Sequence, residues 1–130
     1  MNILVTLDRN YLPPLRVMLG SLLRNDPAET FDIYTIGDGL TAEDWAGLEE
    51  LCAGRGCIHP VEVPADLFAD APVARYWTRA MYYRLLAAEL LPQSLDRVLY
   101  LDPDILVINP LRPLWETDLQ GNLFAAAAHT

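Results

Sequence analysis

The feature that most narrows how this chain can fold is an alternation. Short runs dense in apolar and β-branched residues, at residues 3–7, 31–36, 58–63 and 98–101, are separated by stretches whose apolar residues recur at helical spacing. The first run, Ile3-Leu4-Val5-Thr6-Leu7, has the look of a buried strand in a parallel sheet. Pro13 and Pro14 then suit the first turn of a helix, where a missing N–H does no harm. Leu15, Met18, Leu19 and Leu22 continue that helix, and Asn25-Asp26-Pro27 stops it. Residues 31–36 read as a second strand, and Gly37-Asp38-Gly39 as a turn. Thr41 caps a helix with Asp44 in a box-like arrangement. This helix carries Trp45, Leu48 and Leu51 inward and ends near Gly54 and Gly56. Residues 58–63 form a third strand, and residues 64–77 are irregular and punctuated by proline. Thr78 caps a helix that reaches Leu91 and is stopped by Pro92. A fourth strand at 98–101 runs into Asp102-Pro103-Asp104 and then into the apolar residues 105–108. Leu111, Leu114 and Trp115 form a short packed turn, and residues 123–128 one more strand. The order predicts an α/β fold, one domain over residues 1–130, with a mostly parallel sheet between helices.

Composition removes several classes of function. Nine basic residues against 18 acidic ones give a formal charge of −9. Nucleic acid and anionic membrane both require a basic patch, so neither is an expected partner. A phosphorylated ligand is equally disfavoured unless a cation reverses the local field. Cys52 and Cys57 have a spacing that fits no common zinc or redox signature and read as two reduced thiols near a helix end. His59 and His129 do not complete a metal set with them. Met1-Asn2 leads straight into a strand-like run, unlike a signal peptide, and no apolar stretch is long enough to span a bilayer. The expected compartment is the cytosol.

Ligands of open α/β sheets bind beyond the carboxyl ends of the strands, and two polar clusters lie there. Asp102 and Asp104 follow the fourth strand. Residues i and i+2 of extended chain point the same way, so both carboxylates can aim at one point. Pro103 keeps Asp102 out of helical geometry. Two such charges repel unless a cation lies between them, and hard oxygen donors suit Mg²⁺ or Mn²⁺, which keep positions open for substrate phosphates. A solvated polar strand end is the plainer alternative. The apolar runs Val98-Leu99-Tyr100-Leu101 and Ile105-Leu106-Val107 on either side favour the metal. After the first strand come Asp8, Asn10 and Tyr11. Asp8 can accept from a pyrimidine N3–H, Asn10 can read a carbonyl or a ribose hydroxyl, and Tyr11 can stack on a base. Turn chemistry accounts for the same residues equally well. Arg84 lies in a stretch that is apolar on nearly every side and therefore reads as buried. A buried guanidinium needs an anion, either an internal acid or a ligand phosphate. Arg79, nearer the helix start, reads as solvated.

At these residues the sequence resembles glycosyltransferase family 8. The resemblance is carried by Tyr82-Tyr83-Arg84-Leu85, by Leu90-Leu91-Pro92, and above all by Arg97-Val98-Leu99-Tyr100-Leu101-Asp102-Pro103-Asp104-Ile105-Leu106-Val107. Asn2-Ile3-Leu4-Val5-Thr6-Leu7-Asp8-Arg9-Asn10-Tyr11 is similar to the family's N-terminal donor-binding strand, and Leu114-Trp115-Glu116-Thr117-Asp118-Leu119 to the segment after its metal motif. The resemblance implies a GT-A-type, Rossmann-like fold, a UDP-hexose donor (glucose or galactose), Mn²⁺ or Mg²⁺, and transfer with retention to a glycan or glycolipid such as lipopolysaccharide. It implies that Asp102 and Asp104 ligate the metal. Thr6, Asp8, Asn10 and Tyr11 would line the uridine pocket, and Arg84 would help hold the donor. The full-length protein would then be cytoplasmic, peripheral to the inner membrane face. Family members run further and carry a later His-x-x-Gly-x-x-Lys-Pro-Trp motif that is absent here, and His129 stands where the family usually shows an Asp. The expectation is an N-terminal part of a longer enzyme, incomplete at its C-terminus and lacking the acceptor side. Two other readings compete: a binding module that keeps the nucleotide and metal site without turnover, and an unrelated acidic α/β domain of receiver type.

Overall fold

A computed structural model describes residues 1–64 and 82–128. β1 (Asn2–Asp8) passes through a single 3-10 turn, Arg9–Tyr11, into α1 (Leu12–Asn25). β2 (Phe31–Asp38), α2 (Ala42–Cys52), β3 (Gly56–Pro60) and β4 (Leu99–Tyr100) follow. The four strands form one sheet in the order β3-β2-β1-β4, and every pairing is parallel. The α/β expectation therefore holds.

Alternation along the strands sorts their side chains onto two faces. Ile3, Val5 and Leu7 of β1 join Phe31 and Ile33 of β2 against Leu12, Leu15, Met18, Leu19 and Leu22 of α1 and Leu48 and Cys52 of α2. Most of these side chains are fully buried, each contributing on the order of 1.5–3 kcal/mol of transfer free energy. Leu4 and Ile36, on the opposite face, pack with Tyr83 and Leu91. Helices α1 and α2 thus cover one face, and the segment around Tyr83–Leu91 lies on the other.

Local signals account for the element ends. Pro13 and Pro14 occupy the first turn of α1. Thr41 and Asp44 form the reciprocal capping box of α2, with Asp44 N–H donating to Thr41 Oγ1 at 3.2 Å and Thr41 N–H to Asp44 Oδ2 at 2.9 Å. Those hydrogen bonds, the backbone one first, hold the Asp44 carboxyl below its ordinary value against its own burial. Gly54 takes the left-handed φ of 77° that turns the chain out of α2.

Several expectations need correction. β2 runs on through Gly37 and Asp38, so the turn is centred on Gly39. In α2 the inward positions are Leu48 and Cys52; Leu51 is exposed and Trp45 only partly buried. β3 begins at Gly56, because Phe31 already pairs with Gly56 in the ladder to β2. β4 is only two residues long, and residues 105–108 form no strand, with Val107 alone buried among them. Residues 123–128 are exposed coil, Leu123 at 97%. An apolar run becomes a strand only where a neighbour offers its N–H and C=O groups, and no described strand lies beside these residues. The helix expected over 78–91 is broken within its described part: Arg84–Leu86 form a 3-10 turn and Ala87–Leu90 a short α-helix. Thr78 and Arg79, most of the irregular stretch 64–77, and His129 fall outside the described residues. Arg112–Trp115 is one helical turn, with Leu114 exposed rather than packed.

Candidate functional site

β1 has β2 on one side and β4 on the other, so the connections leaving their carboxyl ends part in opposite directions. That is the switch point at which doubly wound sheets open a crevice. The register pairs Leu4 with Tyr100, and Leu101 N–H donates to Leu4 O at 3.0 Å. Thr6 and Asp102 each follow two residues later, at the carboxyl ends of β1 and β4. Asp8 ends β1 with Asn10 and Tyr11 just after it, and Asp102 and Asp104 follow β4, at the same end of the parallel sheet.

Thr6 and Asp102 are joined through Tyr100. Its hydroxyl lies 3.2 Å from Thr6 Oγ1 and donates to Asp102 Oδ1 at 2.9 Å. Arg84 Nη1 stands 3.9 Å from the same Asp102 oxygen, and its guanidinium lies 5.4 Å from the centre of the Tyr100 ring. The Arg84–Asp102 pair is open to water, about a third at the arginine and half at the aspartate, so it contributes little to stability. Burial pushes the Tyr100 phenol above its ordinary value; the Thr6 hydrogen bond acts against this and Asp102 with it. The phenol is accordingly neutral at physiological pH and available as a donor.

The sequence-derived residues are not equally placed. Thr6 is buried, with its hydroxyl on Tyr100. Asp8 caps the 3-10 turn, accepting from Asn10 N–H at 2.8 Å, and so performs the turn chemistry considered for it. Asn10 and Tyr11 are exposed at the same strand end. The burial expected of Arg84 does not hold: its side chain is about one-third exposed, at 37%. The reason lies in its element. A short broken segment covers only one side of the sheet, so Tyr83 and Leu91 face inward while Arg84 and Leu85 face out.

Asp102 and Asp104 are exposed and Pro103 between them is buried. Pro103 and Asp104 lie in a turn rather than on the extended chain expected. The buried proline anchors the turn and leaves both carboxylates exposed to solvent. Among the described residues no group of three or more His, Cys, Asp or Glu side chains is arranged to hold a metal ion. An ion here would rest on these two carboxylates together with oxygens from outside the described residues. Such a donor set fits Mg²⁺ or Mn²⁺, which are bound through one or two carboxylates plus substrate phosphates. Tyr100 was missed in the sequence because it sits inside an apolar strand. Its signal was present: it shares strand parity with Asp102, and a tyrosine hydroxyl in a partly buried strand needs a partner.

The chain is similar to several known proteins. The family described as glycosyl transferase family 8 matches residues 2–130. Lipopolysaccharide 1,2-glucosyltransferase of Escherichia coli K12 is 30% identical over 126 residues, covering 96% of this chain and 37% of that protein. General stress protein A of Bacillus subtilis 168 is 32% identical over 129 residues, covering 97% of this chain and 45% of that protein. Among solved structures, the galactosyltransferase LgtC in complex with donor and acceptor sugar analogues superposes with a TM-score of 0.80 at 33% identity, covering 92% of this chain and 43% of that one. The chain spans less than half the length of each of these relatives.

Proposed function

The chain belongs to glycosyltransferase family 8, and from that premise we propose that it forms the donor-binding part of a metal-dependent hexosyltransferase. The donor is a UDP-hexose, glucose or galactose, the acceptor a glycan or glycolipid, and transfer proceeds with retention. The fold is that of the GT-A glycosyltransferases it superposes on. The observation that supports the reading is the chain of contacts from Thr6 at the end of β1 through Tyr100 to Asp102 in the Asp102-Pro103-Asp104 segment.

The roles follow from position. Asp102 and Asp104 would hold the divalent ion. When bound, that ion supplies the positive charge that neutralises the diphosphate as it leaves the sugar. Asn10 and Tyr11, exposed beside Asp8, are placed to receive the nucleoside. Asp8 keeps the 3-10 turn that presents them. Arg84, partly exposed beside Asp102, would meet a phosphate oxygen, where a planar fork binds in two-pronged fashion. Thr6 acts indirectly, through the hydroxyl of Tyr100.

The test is calorimetric titration of UDP with and without Mn²⁺. Binding should require the ion and be lost in Asp102→Asn and Asp104→Asn. Equal binding by those variants and the parent would sink the assignment. A nucleotide- and metal-binding module without turnover is the second reading. Release of UDP from UDP-glucose or UDP-galactose by the full-length protein separates the two. No helix among the described residues is long and apolar enough to cross a membrane.

A further inference from the structure

We infer that Tyr100 is a positioning residue of the proposed metal site: its hydroxyl, itself oriented by Thr6, fixes the Asp102 carboxylate so that it meets a divalent cation already aligned. The inference rests on the metal-binding reading above and adds to it a residue that contacts neither cation nor nucleotide.

Proton counting sets the direction of the contacts. An ionised carboxylate only accepts, and a phenol has one proton to give. The Tyr100 proton points to Asp102 Oδ1, 2.9 Å away. The bond between Thr6 and Tyr100 must then run the other way, with Thr6 Oγ1 donating to the phenol oxygen at 3.2 Å. Thr6 is buried in β1, and Tyr100 is locked in register beside it by the β1–β4 ladder. The Arg84 guanidinium over the ring face adds a cation–π contact that restrains the ring. The sheet interior therefore dictates where the phenol proton lies.

Asp102 needs such help. It lies beyond the last hydrogen-bonded residues of β4, is half exposed, and precedes a turn. A carboxylate so placed rotates freely unless something holds one of its oxygens. Tyr100 holds Oδ1 from the strand side, which leaves Oδ2 as the better-directed ligand. Hydrogen-bonded partners behind metal ligands commonly tune affinity about 10- to 100-fold.

The experiment uses the full-length protein with UDP present. Mn²⁺ affinity is read by electron paramagnetic resonance, and the Tm of the metal-free protein is measured alongside. Tyr100→Phe keeps the ring and removes the hydroxyl; Mn²⁺ affinity should fall about 10- to 100-fold. That variant strands the buried Thr6 hydroxyl, so its Tm will also drop. Tyr100→Phe with Thr6→Val removes both hydroxyls and should bring the Tm back toward the parent while Mn²⁺ affinity stays low. Affinity that follows the Tm back up would show that Tyr100 only ties β1 to β4, and so would overturn the inference. Unchanged affinity in Tyr100→Phe overturns it as well. A parent protein that takes up no Mn²⁺ brings down both this inference and the function on which it rests.

Discussion

Cys52 and Cys57 stand five residues apart and meet opposite surroundings. Cys52 points into the core between α2 and the sheet, and burial, with a smaller contribution from Cys57, pushes its thiol from 9.0 up to about 11. Cys57 is exposed on β3. Only a thiolate attacks a disulfide reagent. At neutral to mildly alkaline pH the native protein should therefore release one equivalent of chromophore from such a reagent, and a second only on unfolding. The stability that the neutral Cys52 thiol contributes is intact below pH 9.0 and is lost as the pH climbs toward 11, since the unfolded chain gives up its proton first. The acid pair belongs at the same scale. Asp102→Asn and Asp104→Asn in the full-length enzyme should each lower kcat by about 10²- to 10³-fold, the usual cost of losing one preorganised electrostatic group, with the Tm nearly unchanged because both side chains are exposed. Steady-state assay with a thermal melt checks both halves. These two acids were legible in the sequence because they interrupt apolar runs on either side. The part played by Tyr100 was not, since a hydrogen bond across two strands depends on a register that only pairing reveals.

Among the elements, those with a complete local code formed as read. α2 carries its own start signal in Thr41 and Asp44, and Thr41→Ala should cost about 1 kcal/mol of unfolding free energy, measured by urea denaturation with unchanged m-value. β1 and β2 are runs bounded by polar residues and flanked on both sides by partners, so apolar density was a sufficient guide to them. The misreadings share a different cause. Residues 123–128 and 105–108 are as apolar as a strand, yet apolarity states only a preference for burial and does not supply a neighbour. The stretch through Arg84 looked buried because its composition is apolar all round. It packs with one side only, so Leu85 remains 70% exposed. Whether an apolar segment is sandwiched or merely laid upon a sheet is decided by the layers above it, and those are remote in sequence.

The molecule as a whole carries a formal charge of −9, which sets the terms on which it can hold an anionic donor. Screening reduces repulsion beyond about 8 Å at physiological ionic strength, but a diphosphate at the proposed site would sit far closer than that to Asp102 and Asp104. UDP alone should therefore bind weakly, and Mn²⁺ alone, short of ligands, only modestly. Together each supplies what the other lacks, so their binding should be strongly coupled, and the coupling must be reciprocal. A ligand that binds only the folded state stabilises it by about 2.7 kcal/mol at a hundred times its dissociation constant, worth several degrees or more in Tm for a domain of this size. A thermal-shift matrix should thus show a small rise with Mn²⁺, almost none with UDP and a rise with both that exceeds the sum. EDTA should erase it. Strictly additive shifts would mean that cation and nucleotide bind at separate places, and the acidic crevice would then need another explanation for the donor it receives.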